Sequence, residues 1–163
     1  MNRDLVDDIL AQWQQERPDL DVSPMGIVGR MGRLSRHLER AIQKVFSDFE
    51  LHAGEFDVLA TLRRSGKPYQ LSPTELFNTL MVSSGTMTHR IDRLEQADLV
   101  KRIPDPGDRR GTLIQLTKKG FTVIEQAVTA HVANEHRLLE VLDASEQETL
   151  AQLLRKLLIA FEE

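Results

Sequence analysis

The segment Ser83–Gly120 reads S-S-G-T-M-T-H-R-I-D-R-L-E-Q-A-D-L-V-K-R-I-P-D-P-G-D-R-R-G-T-L-I-Q-L-T-K-K-G and leaves the chain little choice of local fold. Met87, Ile91 and Leu94 recur at i, i+4 and i+7, the spacing of one buried helix face. Two short β-prone runs follow, Leu99–Ile103 and Thr112–Leu116, and between them Pro104-Asp105-Pro106-Gly107-Asp108 is turn chemistry. The runs therefore pair as a hairpin, with Arg109 and Arg110 near its tip. A helix followed by an arginine-tipped hairpin suits a nucleic-acid duplex held at two places at once.

Charge decides whether that reading survives. The 163-residue chain carries a net charge of −4, which argues against a polyanionic partner. Its distribution argues the other way: residues 83–119 hold eight Lys or Arg against five Asp or Glu. An acidic body with one basic segment docks DNA through that segment and repels it elsewhere. A hydrophobic content of 40% supports a packed core, and the absence of cysteine excludes disulfides, thiolate metal sites and thiol redox sensing. No apolar run approaches membrane-span length, and M-N-R-D-L-V-D-D has neither the basic flank nor the apolar core of a signal peptide. The expectation is a cytoplasmic protein with no membrane partner.

The flanks read as helices. Leu5, Val6, Ile9, Leu10 and Trp13 form a short amphipathic helix that Pro18 ends, and Ser23-Pro24 opens a long one. Ile27, Met31, Leu34, Leu38, Ile42, Val45 and Phe49 repeat near every 3.5 residues, with Arg30, Arg33, Arg36 and Arg40 between them; so narrow a seam packs on another helix. Gly54 breaks the chain before a helix over 55–64, which is apolar nearly all round and so central. Ser72-Pro73-Thr74-Glu75 is a capping box opening a short helix, 80–82 is a turn, and Ser83 or Ser84 caps the next helix. A long helix runs from Thr117 to about Asp143, and Ser145–Glu148 caps a last helix bearing Leu150, Leu153, Leu154, Leu157, Leu158 and Phe161. The fold class is mainly α with a small two-stranded β wing.

Residues 72–120 closely resemble the winged helix-turn-helix of the MarR (multiple antibiotic resistance) family of regulators, through the wing D-P-G-D-R-R-G and the strand ending L-T-K-K-G after R-I-D-R-L-E-Q-A-D-L-V. The flanking helices are similar to that family's dimerisation helices. The resemblance implies a DNA-binding lobe over 54–119, and a helical dimerisation region from 1–53 and 120–163. It also implies a homodimer on a palindromic operator, most often a repressor, released by a small anionic aromatic molecule.

Stepping 100° per residue places Gly85, Thr86, His89, Asp92, Arg93 and Gln96 on the outer side of the candidate reading helix. Arg93 suits guanine, while Thr86, Thr88 and His89 suit base edges or phosphates. His89 reads equally well as a surface histidine. Ser84 caps the helix and is placed to hold a phosphate. Arg109 suits a narrow minor groove, with Asp108 orienting its guanidinium, and Arg110 and Lys118 suit phosphate.

Asp57, between Phe56 and Val58, reads as a buried carboxylate in need of a partner, and Arg90 at the inner edge of the reading helix is the candidate. Trp13 reads first as a packing residue. The chain also looks like the family's subgroup with an extra N-terminal helix, and in that pattern Trp13, Asp57 and Arg90 bind urate or a related anionic aromatic. Thr61 departs from it, standing where the subgroup carries an arginine. His131 and Glu135 read as a satisfied i, i+4 helix pair rather than metal ligands. With no nucleophile–base set, P-loop or dinucleotide fingerprint, neither an enzyme nor a cofactor is expected. A winged-helix protein-interaction module and a ligand-independent DNA binder remain the alternatives.

Overall fold

The computed structural model describes residues 3–80 and 84–162, the Ser84 side chain excepted. The expected turn at 80–82 therefore lies largely outside the described residues, and the capping roles given to Ser83 and to the Ser84 side chain lie wholly outside them. The chain divides into two compact units, Met1–Ala41 and Ile42–Glu163, the boundary falling inside the long helix. Among the described residues no helix is long and apolar enough to cross a membrane.

The first unit holds α1 (Leu5–Glu16) and most of α2 (Ser23–Ser47). Asp4 caps α1, its Oδ1 accepting the Val6 and Asp7 amides at 2.8 and 3.1 Å, while the Asp7 carboxylate accepts the Asp4 amide at 2.9 Å. Arg30 reaches the same two carboxylates from α2, with Nε on Asp4 at 2.9 Å and Nη2 on Asp7 at 2.7 Å. Val6 is buried, its methyl groups over Gly29.

The second unit holds the end of α2, then α3 (Ala53–Arg64), β1 (Gln70–Leu71), α4 (Pro73–Leu80), α5 (Ser84–Gln96), β2 (Val100–Asp105), β3 (Asp108–Leu116), α6 (Lys118–Leu138) and α7 (Ala144–Glu162). The sheet has three antiparallel strands in the order β1-β3-β2. The sequence reading missed β1, which is only two residues long and too short to show alternation; it is a strand because Gln70 and Leu71 lie beside Gln115 and Ile114. Gly54 does not break the chain before α3 but sits inside its first turn.

The expected core is present. Val58, Leu59 and Leu62 of α3, Leu76 of α4, and Met87, Ile91 and Leu94 of α5 pack with Leu99, Val100, Ile114 and Leu116 at the wing root and Ile124 and Ala127 of α6. Each such large aliphatic side chain stabilises the fold by about 1.5–3 kcal/mol. The α4 capping box forms as read: Ser72 Oγ accepts the Glu75 amide at 3.2 Å, and Glu75 accepts the Ser72 amide at 2.7 Å. The α7 cap sits two residues earlier than expected, because Asp143 and Glu146 exchange the reciprocal bonds, both at 2.9 Å, and not Ser145 and Glu148. No α7 residue is buried, and Leu153, Leu154, Leu157, Leu158 and Phe161 are exposed.

Candidate nucleic-acid interface

The reading helix α5 is built as its spacing predicts. Met87, Ile91 and Leu94 face the core, each 2% exposed, which leaves Thr86, Thr88 and His89 on the open side. Arg93 is exposed, as expected of an outward group, but it also takes a partner the spacing did not show. Its Nε donates to Glu55 Oε1 at 2.7 Å, and Glu55 is buried. The other carboxylate oxygen of Glu55 accepts the His52 amide at 2.9 Å and closes the α3 cap. One carboxylate thus starts α3 and grips α5, an economy that needs both helices in place and that helix periodicity alone does not reveal.

Arg102 is a second group the sequence reading passed over. From β2 it binds Asp92 at 2.5 Å, its guanidinium also meets Glu95, and its amide donates to Glu95 Oε1 at 3.2 Å. Asp92 and Glu95 are spaced i, i+3, a legible acidic pair, but only the turn between α5 and β2 brings Arg102 to them. The clamp joins the reading helix to the wing. The wing root is fastened as well: Thr117 caps α6 through the Gly120 amide at 2.9 Å and donates to the Asp98 carbonyl at 2.7 Å. Any Cβ at Gly120 would collide with the Leu99 carbonyl oxygen, so glycine is required there.

The wing arginines lie near the hairpin tip as expected, just past the turn. The turn is only Pro106-Gly107, and β3 begins at Asp108. Asp105 pairs with Asp108 while Pro104 pairs with Thr112, so Arg109, Arg110 and Gly111 bulge from the ladder with no partners on β2. Both arginines are exposed. Asp108 does not orient the Arg109 guanidinium either: its Oδ1 accepts the Arg110 amide at 2.9 Å and shapes the bulge. Lys118 is exposed on the first turn of α6.

The residues expected to bind a ligand divide between the units, with Trp13 on α1 and Asp57 and Arg90 in the second. Trp13 is 41% exposed. Asp57 is exposed and not buried as expected, because it lies on the side of α3 away from Val58 and Leu62. Partial desolvation still raises its carboxyl from the ordinary Asp value, opposed by the charges of Arg90, Arg64 and His131. Among the described residues Arg90 makes no ion pair with Asp57. It lies instead against the first turn of α3, where a Cβ at Gly54 would collide with its guanidinium. Thr61 is buried and its hydroxyl has no hydrogen-bond partner among the described residues. His131 and Glu135 meet at 3.2 Å as an i, i+4 pair.

Residues 51–112 match the MarR family model. The HTH-type transcriptional regulator PecS of Dickeya dadantii is 50% identical over 149 residues, covering 91% of this chain and 90% of that one. The multiple antibiotic resistance protein MarR of Escherichia coli K12 is 32% identical over 139 residues, 85% of this chain and 93% of its own. Among solved structures, an E. coli MarR mutant complexed with operator DNA superposes with a TM-score of 0.71 at 29% identity, covering 96% of this chain and 99% of that one. Bordetella bronchiseptica BpsR, whose DNA binding is regulated by 6-hydroxynicotinic acid, gives 0.70 at 26% identity over 80% of this chain and 91% of that one. The consecutive helices α4 and α5, a wing carrying two exposed arginines and half-identity to PecS along nearly its whole length agree: the chain belongs to the MarR family of winged-helix transcriptional regulators.

Proposed function

We propose that the chain acts as a homodimeric repressor that leaves a palindromic operator when it binds a small anionic aromatic molecule. The observation that carries the DNA-binding part is the pairing of two exposed surfaces. The Thr86, Thr88 and His89 face of α5 and the Arg109–Arg110 bulge of the wing are joined through the Arg102 clamp. A helix in the major groove and arginines at the minor groove need a fixed offset, which the clamp supplies. In this reading Arg109 enters the groove, Arg110, Lys118 and Ser84 meet phosphates, and Arg93 holds α5 on Glu55.

The dimer is supported by the exposed apolar residues of α2 and α7, among them Ile27, Leu34, Leu157 and Phe161. The ligand reading is supported by Trp13, whose ring is half open, and by Arg90, which feels the Asp57 charge but closes no ion pair among the described residues. Urate is not assigned, since Thr61 supplies no positive charge.

A mobility shift on DNA from upstream of the gene tests the function, with aromatic carboxylates and purine-like anions titrated into the complex. Protection of two symmetric half-sites about 10 bp apart, centre to centre, relieved by one of those anions, is the expected result. Sequence-independent binding alone, at physiological salt, would reject it.

A further inference from the structure

Within the first unit, every arginine before Arg33 has a carboxylate. Arg3 pairs with Asp8 at 3.2 Å, Arg17 with Asp19 at 2.7 Å, and Arg30 with Asp4 and Asp7. Arg33, Arg36, His37 and Arg40 then fall at i, i+3, i+4 and i+7 on one face of α2. Among the described residues none of the four has an acidic partner; Arg36 donates only to the Gly32 carbonyl of its own helix, at 3.2 Å. Glu39, the nearest acid in sequence, accepts from Ser35 instead, at 2.8 Å. Like charges so spaced disfavour the helix unless an anion is bound.

Beside this strip lies a cleft. Val6 and Ile9 of α1 and Met25 and Val28 of α2 line about 360 Å³ together with Gly29, Arg33 and Arg36. The same two arginines, with His37 and Arg40, line an adjoining open recess of about 170 Å³. An apolar cleft opening onto unneutralised guanidinium groups is complementary to a molecule with an apolar body and an anionic head. Guanidinium binds phosphate or carboxylate in a bidentate fork. Trp13 lines neither space.

We propose that the α1–α2 cleft and the Arg33–Arg36–Arg40 strip form a binding site for a small amphiphilic anion, distinct from the Trp13, Asp57 and Arg90 set. The body is a single ring or short alkyl group held by Ile9, Met25 and Val28. The head is a phosphate monoester or carboxylate held by the arginines.

Phenyl phosphate is the probe, titrated into the full-length protein by calorimetry, with benzoate, inorganic phosphate and benzyl alcohol in parallel. Saturable binding of phenyl phosphate, at least tenfold tighter than inorganic phosphate and absent for benzyl alcohol, is expected, and the benzoate arm tells a phosphate head from a carboxylate one. The double variant Arg36→Gln/Arg40→Gln should weaken phenyl phosphate at least tenfold. Ile9→Gln should weaken phenyl phosphate and leave inorganic phosphate unchanged. Binding should persist in Trp13→Phe, and operator affinity should persist in the double variant, so this proposal and the proposed function fail separately. The site is overturned if wild type shows no saturation with either anion, or if the double variant binds as wild type does. It is also overturned if the double variant instead dissociates the dimer, since a second copy then covers the strip. A flattened salt dependence of operator binding in that variant, with no phenyl phosphate bound by wild type, would assign the strip to DNA and overturn it too.

Discussion

Arg93 Nε sits 2.7 Å from Glu55 Oε1, so the reading helix is held by a carboxylate whose other oxygen closes the cap of α3. Neutralising that carboxylate strikes both helices. Glu55→Ala should lower stability by about 1–2 kcal/mol, a figure that counts the lost cap and discounts the ion pair because the Arg93 side chain is 45% exposed. It should also weaken operator binding, because α5 loses its anchor. Thermal unfolding and fluorescence anisotropy check the two effects; a stable variant with full operator affinity would detach Arg93 from any positioning role.

Gly54→Ala separates Arg90 from the fold. Alanine favours the helix over glycine by roughly 0.5–1 kcal/mol, yet its Cβ collides with the Arg90 guanidinium, the far end of a flexible side chain. The expected outcome is an unchanged or raised melting temperature with a lost or blunted response to the effector. Retention of the full response would show that Arg90 does not need its place on α3.

For the wing, Arg109→Ala should cost about 1–3 kcal/mol of operator affinity with folding intact, while Arg110→Ala should weaken binding evenly across sequences and reduce the salt slope by about 1. Arg102→Ala removes no groove contact. It should nevertheless weaken specific binding more than non-specific binding, because it frees the wing from α5. Competition assays against unrelated DNA measure that difference.

Assembly is tested on α7. Leu154 and Leu157 are 40% and 43% exposed in the isolated chain. Leu154→Glu/Leu157→Glu should convert a dimer into a monomer or an unfolded chain by sedimentation, with operator binding lost. A wild-type protein that sediments as a folded monomer at micromolar concentration would remove the dimer from the proposal.

Asp57 sets a pH dependence whose sign follows from its raised carboxyl. The folded state binds this proton more tightly than the unfolded state does. The cost is therefore absent at pH values below the ordinary Asp value of 3.8 and sets in as pH rises through the range above it. Asp57→Asn should match wild type in acid and be slightly more stable at neutral pH, by denaturant unfolding at both ends. Equal stability at both ends would mean that Asp57 carries no such strain.

What periodicity and turn chemistry state locally was legible in the sequence. The Met87–Ile91–Leu94 face, the Ser72–Glu75 cap and the paired strands around Pro106-Gly107 need only neighbours within a few residues, so the order of helices, the wing and the resemblance to the family followed from them. The tertiary structure decided everything that depends on residues distant in sequence. Gln70 and Leu71 form a strand because Gln115 and Ile114 supply the ladder. Arg93 turns to Glu55, Arg102 to Asp92 and Glu95, and Arg90 to Gly54, because a long guanidinium side chain takes whichever partner the packed helices bring within reach. Helix spacing states which side a residue leaves from, but where a flexible charged group ends depends on the surface it meets.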